Sequence, residues 1–253
     1  MNNLIQWPRA QYWDKPWNPI IGCQPCSPAC ENCYAKALSA RFGMADFSPR
    51  PTTRIAPPRS GVVFCGNMTD LFGEWNAKNY HEDKNFIGKT VAVGFDGAIY
   101  LWLTKRVETM ITFIQYAFGT PWRRSRSDMH YFGFTAENQQ RYSERLLPVY
   151  RAKEKWMQFW VSAEPLLGPL RLGLDGDLIP GTYKWIVVGC ESGPNRRPCK
   201  IEWVESIVEQ CRAANVPVFV KQLDLNGKCE RDISKFPEHL RIRQVPWAKG
   251  ETK

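Results

Sequence analysis

The sequence predicts an α/β fold built on a parallel sheet, either curled into a barrel or left as a doubly wound sheet. Three observations predict it. Seven short apolar runs rich in β-forming residues recur along the chain, with helical patterns between them. Each of the last six runs ends in polar or charged residues. The first run leads straight into a stretch with four cysteines.

The elements follow in order. Asn18–Gly22 reads as the first strand, and the cysteine stretch leads from it into a helix over Cys33–Phe42. Gly61–Cys65 is the second strand, followed by Gly66-Asn67-Met68-Thr69-Asp70. Ala98–Leu103 is the third, ending in Thr104-Lys105-Arg106 before a helix over Val107–Phe118. Tyr131–Phe134 is the fourth, then Thr135-Ala136-Glu137-Asn138 and a helix over Gln139–Tyr150. Gln158–Val161 is the fifth, then Ser162-Ala163-Glu164-Pro165. Trp185–Gly189 is the sixth, then Glu191–Pro198 and a helix over Ile201–Ala214. Val216–Val220 is the seventh, then Lys221-Gln222.

In parallel α/β folds the C-terminal ends of the strands carry the chemistry. Thr135 and Ser162 would each also suit a helix N-cap. Six polar ends sharing one rim with a thiol cluster favour a common site over six separate caps. Glu137, Glu164 and Glu191 each lie close behind an apolar run, so each can point inward at that rim.

The chain has 253 residues, 43% of them hydrophobic and 23% charged, enough for one large core. One domain over 1–253 is expected, with 1–16 as an N-terminal extension and 223–253 as a C-terminal one. No apolar stretch reaches the length of a membrane span. The N-terminus lacks the apolar centre of a signal peptide, which makes a cytoplasmic location the expectation. In a reducing compartment, nine cysteines read as metal ligands and buried thiols rather than disulfides. A net charge of +9 favours partners that carry phosphate. Eleven tryptophans and nine tyrosines belong mainly to the core, with stacking on bases as their second use. Arg123, Arg124 and Arg126 precede the fourth strand and so read as a solvated loop away from the rim. Arg196 and Arg197 follow the sixth strand and could meet a phosphate or shape a rigid turn. The proline-rich stretch Phe47–Arg59 reads as a flap carrying Arg50, Arg54 and Arg59, and Arg241, Arg243 and Lys249 add charge near the end.

Cys26, Cys30 and Cys33 have the spacing C-x3-C-x2-C, and Cys23 offers an alternative first member, C-x6-C-x2-C. Thiolates hold iron–sulfur clusters. Three protein ligands on a four-iron cluster leave one iron for a substrate or cofactor, and radical enzymes bind S-adenosylmethionine there. Four thiolates could instead close a zinc site, though such sites usually have two separated pairs.

Trp17–Cys23, Ser27-Pro28 and Cys30-Glu31-Asn32-Cys33-Tyr34-Ala35 resemble the signature of the phage Gp37/Gp68 family, also called three-Cys-motif proteins (DUF5131). The resemblance extends through Asn67–Phe72, Leu103–Arg106, Glu137-Asn138-Gln139, Val161–Pro169, Glu191-Ser192-Gly193-Pro194 with Arg197-Pro198, and Val220-Lys221-Gln222. That family is similar to radical S-adenosylmethionine enzymes. The resemblance implies a partial or full TIM-like (β/α) barrel of the radical SAM type, a [4Fe-4S] cluster and S-adenosylmethionine as cofactors. The family spacing selects Cys23, Cys30 and Cys33 as ligands. The common radical-enzyme spacing selects Cys26 instead of Cys23. Cys190 stands where the family usually has glycine. Cys65, Cys199, Cys211 and Cys229 read as structural or incidental.

Analogy of position with radical enzymes assigns the remaining roles. Asn67, Thr69 and Asp70 would accept the methionine ammonium, and Lys105 or Arg106 would take its carboxylate. Glu137 or Asn138 would meet the ribose hydroxyls. Glu164 and Glu191 are candidates for the catalytic or substrate side. The expected function is generation of a 5′-deoxyadenosyl radical, to modify or repair a nucleic-acid base or nucleotide. An external electron donor would serve it, a partner protein is compatible with it, and no membrane is involved. The alternative is a non-enzymatic iron–sulfur or zinc nucleic-acid-binding protein with a structural four-Cys site. A plain electron-transfer protein ranks last.

Overall fold

The computed structural model describes residues 5–7, 9–44, 46–52, 56–73, 97–119, 127–173, 178 and 181–247. Arg54, Arg123, Arg124, Arg126 and Lys249 lie outside them. Among the described residues twelve strands occur in chain order: β1 (Ile5–Gln6), β2 (Lys15–Trp17), β3 (Ile20–Ile21), β4 (Arg50–Pro51), β5 (Gly61–Cys65), β6 (Ala98–Thr104), β7 (His130–Thr135), β8 (Gln158–Ala163), β9 (Trp185–Gly189), β10 (Val218–Leu225), β11 (Lys228–Glu230) and β12 (Gln244–Val245). The α-helices among these residues are α1 (Tyr34–Arg41), α2 (Val107–Phe118), α3 (Gln139–Ala152) and α4 (Ile201–Ala213).

Eight strands form one curled sheet, a half-barrel, in the order β11-β10-β9-β8-β7-β6-β5-β2. Neighbours from β2 to β10 are parallel, and only β11 runs antiparallel, as a hairpin with β10. The sheet is open: among the described residues β11 does not pair with β2.

The first strand differs from expectation. The parallel ladder is carried by Lys15–Trp17, and Ile20–Ile21 pairs antiparallel with Arg50–Pro51 in a separate ribbon. Asn18 turns its side chain to the β5 loop, donating to Asn67 Oδ1 at 2.6 Å and accepting from the Met68 N–H at 3.1 Å. The seventh strand runs longer than the apolar stretch that marks it, to Leu225.

Alternation along the strands separates two cores. Val63, Tyr100, Trp102, Phe132, Phe134, Phe159, Val161, Ile186 and Val188 face the helices. The buried stripes of α2 (Met110, Phe113, Ile114, Ala117), α3 (Tyr142, Leu146, Val149) and α4 (Val204, Ile207, Val208, Cys211) recur at helical spacing and pack there. The other face presents Val62, Phe64, Leu101, Tyr131, Trp160, Trp185, Val187 and Phe219. Residues near both ends of the chain fill that concave side: Trp7 and Tyr12 from one, Val245 and Trp247 from the other. β1 pairs with β12 across it. Tyr12 meets Trp160, Trp185 and Phe219 edge-on, with centroids 4.9–6.2 Å away. Gly133 is required on this face, because a Cβ there would lie 2.3 Å from the Trp160 ring.

His130 begins β7 inside the outer core, stacked between Tyr100 and the Trp102–Phe132 rings. The Trp102 indole N–H donates to its Nδ1 at 3.0 Å. Burial lowers its pKa from 6.5 to about 3. Between those values the unfolded chain binds a proton that the folded chain does not, so stability falls as pH drops below about 6.5. The slope from this one residue reaches at most about 1.4 kcal/mol per pH unit. Urea midpoints at pH 7 and pH 5 are expected to differ more for the native chain than for His130→Gln, by about 1–2 kcal/mol. Equal pH dependence in both would show that His130 takes up its proton as readily in the folded chain as in the unfolded one.

Candidate functional site

A cavity of about 500 Å³ opens at the C-terminal ends of the parallel strands. That size suits a small-molecule ligand. Asn67, Thr69 and Asp70 line it beyond β5, Thr104, Lys105 and Arg106 beyond β6, and Thr135 on β7. Ser162 and Glu164 line it from β8, Cys190 and Glu191 beyond β9, Lys221 and Gln222 on β10, and Arg231 after β11. Cys23, Cys26, Cys30 and Cys33 line it too. The strand ends and the cysteine loop thus share one mouth.

The cysteine loop is tied across this mouth on two sides. Gly22 enters it with φ +85°, where a Cβ would sit 2.2 Å from the Ser48 carbonyl oxygen, so only glycine fits. On the β5–β6 side, the Thr69 hydroxyl donates to the Gly22 carbonyl and Arg106 Nη2 donates to the Gln24 carbonyl at 2.8 Å. On the β9 side, Arg197 donates to the Pro28 carbonyl at 3.0 Å and pairs with Glu31 at 3.1 Å. Asn32 donates to Glu191 at 2.9 Å and to the Asn195 carbonyl at 2.8 Å. Cys33 caps α1, whose first residue, Tyr34, donates to the Asn67 carbonyl.

The carboxylates of the mouth are all engaged. Asp70 accepts from the Thr104 hydroxyl (2.7 Å), the Phe72 and Lys105 N–H groups (3.0 and 3.1 Å) and Arg106 (3.1 Å). Glu191 accepts from Arg197 through the backbone N–H (2.8 Å) and Nε (3.0 Å). Burial pushes Glu191 up, but these bonds outweigh it and hold the carboxyl below its usual range. Glu164 pairs with Lys221 at 2.6 Å. Arg196 lies 3.5 Å from Asp224. Arg196 and Arg197 are therefore occupied by carboxylates, and Arg197 serves as a clasp of the cysteine loop.

Two expected ligand-binding residues do not line the cavity. Glu137 is buried in an ion pair with Arg145, which also donates to the carbonyls of Thr135 (2.7 Å) and Lys105 (3.2 Å). Burial raises the Glu137 pKa, but Arg145 and the Ser27 hydroxyl more than offset that. Asn138 caps α3, its Oδ1 accepting from the Arg141 N–H at 2.9 Å. It takes the capping place that Thr135 had suited; Thr135 ends β7, Ser162 lies near the end of β8, and both line the cavity. Sequence reasoning missed Arg231 and Tyr12 as cavity residues, because each sits in an extension rather than at a parallel strand end. Of the flap's two described arginines, Arg50 is bonded to Met44 and Asp46 and Arg59 is exposed.

Among the thiols, Cys30 Sγ lies 3.5 Å from the Cys26 N–H and 3.8 Å from the Ser27 hydroxyl. The hydrogen bond from the Cys26 thiol, helped by Lys105 and the loop N–H groups, draws Cys30 down to about 4 against the effect of burial. The same bond, with burial, pushes Cys26 up. Burial and the Asp70 charge raise Cys23. Among the described residues, no three or more His, Cys, Asp or Glu side chains are gathered into a metal site. The donor set nonetheless fits a thiolate-held group: four soft ligands line one wall, with Lys105 and Arg106 close enough to offset their charge.

A parallel half-barrel with a thiol loop across its mouth defines an α/β protein with a cavity at the strand ends. The chain belongs to the family described as protein of unknown function (DUF5131), whose pattern matches residues 8–235. No curated protein and no solved structure matches it. No helix among the described residues is long and apolar enough to cross a membrane.

If Glu137 is structural, Glu137→Gln leaves the Arg145 charge buried without its counterion and costs about 3 kcal/mol of stability. Asn138→Ala removes a cap and costs about 1 kcal/mol. Denaturant unfolding measures both. A variant that loses ligand binding at native stability would instead place that residue in the binding site.

Proposed function

We propose that this chain is a radical S-adenosylmethionine enzyme that modifies or repairs a nucleic-acid base or nucleotide. One observation carries the reading: a four-cysteine loop is fastened over a polar cavity at the C-terminal mouth of a parallel half-barrel. Cys23, Cys30 and Cys33 would hold a [4Fe-4S] cluster, with Cys26 as the rival third ligand. When bound, such a cluster supplies the electron that cleaves S-adenosylmethionine to methionine and a 5′-deoxyadenosyl radical.

The chain's own residues would bind and shield. The Lys105 ammonium has no ion-pair or hydrogen-bond partner among the described residues, so it is available to the methionine carboxylate. Asp70 orients the Thr104–Lys105–Arg106 turn through three hydrogen bonds, which makes it a positioning residue. Asn67 and Thr69 offer oxygens for an ammonium group. The Trp7, Tyr12, Trp160 and Trp185 core beneath the cavity keeps water out from below. Glu164 and Lys221 face the substrate side as a pair. An external electron donor would meet the exposed loop around Cys26.

A second reading rests on the Cys26–Cys30 contact: all four thiolates close one structural site, and the protein binds nucleic acid without catalysis.

Anaerobic reconstitution is expected to load about four irons per chain. The reduced protein's EPR signal is expected to shift on adding S-adenosylmethionine, and 5′-deoxyadenosine to accumulate. An unshifted signal would support the closed site; zinc in place of iron would end the radical reading. Cys30→Ser and Cys33→Ser are expected to lose most of the iron. Cys23→Ser should do the same while Cys26→Ser keeps it; the reverse outcome makes Cys26 the third ligand.

A further inference from the structure

The cations around the cavity outnumber its carboxylates, and the excess is localised. Asp70 is matched by Arg106, Glu164 by Lys221 and Glu191 by Arg197. Lys105 and Arg231 remain, on opposite walls. Lys105 lies beside the Cys30 thiol and answers the charge of the cysteine loop. Arg231 stands on the far side, near Cys229, with no carboxylate set against its guanidinium.

Arg231 is held in place from behind. Its Nε donates to Gln222 Oε1 at 3.1 Å, and Gln222, 2% exposed, is itself fixed by donating to the Cys190 carbonyl. Its two Nη groups have no partner among the described residues. The Arg231 carbonyl accepts from Arg243 Nη2 at 2.6 Å, and the same guanidinium reaches the Lys221 carbonyl at 3.3 Å. Arg243 is 2% exposed and lies against the Phe219 and Phe236 rings, 5.8 and 5.7 Å from their centroids. One buried arginine therefore pins the backbones of both cationic residues on this wall. Lys221 Nζ lies 5.7 Å over the Tyr12 ring, and Trp13 also lines the cavity. A pre-set arginine fork beside an ammonium and aromatic rings matches a phosphate ester attached to a base.

We propose that the β10–β11 wall of the cavity is a phosphate subsite, formed by the Arg231 guanidinium and positioned by Arg243, for a nucleotide unit of the substrate. This deepens the radical-enzyme reading and rests on it for the chemistry, but binding can be measured without turnover. The phosphate could come from a free nucleotide or from a nucleic-acid strand.

The test titrates the reconstituted full chain with the four deoxynucleoside 5′-monophosphates, their nucleosides and a short single-stranded oligodeoxynucleotide, reading tryptophan fluorescence and calorimetry. At least one monophosphate, or the oligonucleotide, is expected to bind tenfold or more tighter than the matching nucleosides. Arg231→Gln should abolish that preference, lowering affinity for the phosphorylated probes at least tenfold more than for the nucleosides. Arg231→Lys should recover part of it, and Lys228→Gln, on the outer hairpin, should change nothing. A monophosphate preference identifies a free nucleotide; a preference confined to the oligonucleotide identifies a strand. Equal binding of phosphorylated and unphosphorylated probes, or a preference that survives Arg231→Gln, overturns the subsite. Iron content and 5′-deoxyadenosine, measured on the same samples, report separately on the radical reading. Phosphate binding without them would sink that reading and leave the subsite standing.

Discussion

The packing of Tyr12 and its aromatic neighbours against the concave face is the constraint on which the structure depends. An open, curled sheet exposes its inner face to water unless something covers it. Here the cover is a cluster of Trp7, Tyr12, Trp160, Trp185, Phe219 and Trp247, assembled from both ends of the chain. Fully burying one such side chain is worth about 2–3 kcal/mol, so the cluster as a whole makes the curled form viable. It also sets the floor of the cavity. Above it, the inward positions of the strands change from apolar to polar: Leu103 gives way to Lys105, Gly133 to Thr135, Trp160 to Ser162.

On that floor, charge decides what the mouth can do. Buried or half-buried carboxylates would be costly alone, and each is set against a cation or several N–H groups. Those bonds also hold the cysteine loop, because Arg106 and Arg197 each contact both a strand-end carboxylate and a loop carbonyl. The loop's position and the charge balance of the cavity are therefore one arrangement. A change in Asp70 or Glu191 would release the loop as well as alter the local field.

Much of this is legible in the sequence. Short apolar runs followed by polar residues place β5 to β9, and α2 occupies the residues its periodicity marks. The rim residues Asn67, Thr69, Lys105, Glu164 and Glu191 follow from that placement. Asn18–Gly22 misleads, because hydrophobicity does not reveal that Asn18 bonds to the β5 loop. Glu137 and Asn138 mislead for a related reason. A carboxylate at a strand end looks the same in one dimension whether it faces the cavity or a buried arginine eight residues on. The role of Arg243 depends on contacts with Lys221 and Arg231, far enough apart in sequence that no local pattern signals them.

The placement of β12 has a consequence for how the molecule is made. Val245 and Trp247 belong to the inner core and Arg243 packs against it through Phe219, yet they follow every other described strand and fall beyond residue 235, where the family match ends. The seven parallel strands can form their ladder as they are synthesised, but the concave face stays uncovered until these late residues arrive. Long-range closure of this kind is slow and leaves apolar surface exposed meanwhile. A nascent chain paused before residue 243 would hold an assembled outer layer around an unfinished centre, and its cysteine loop would sit over a cavity with an incomplete floor.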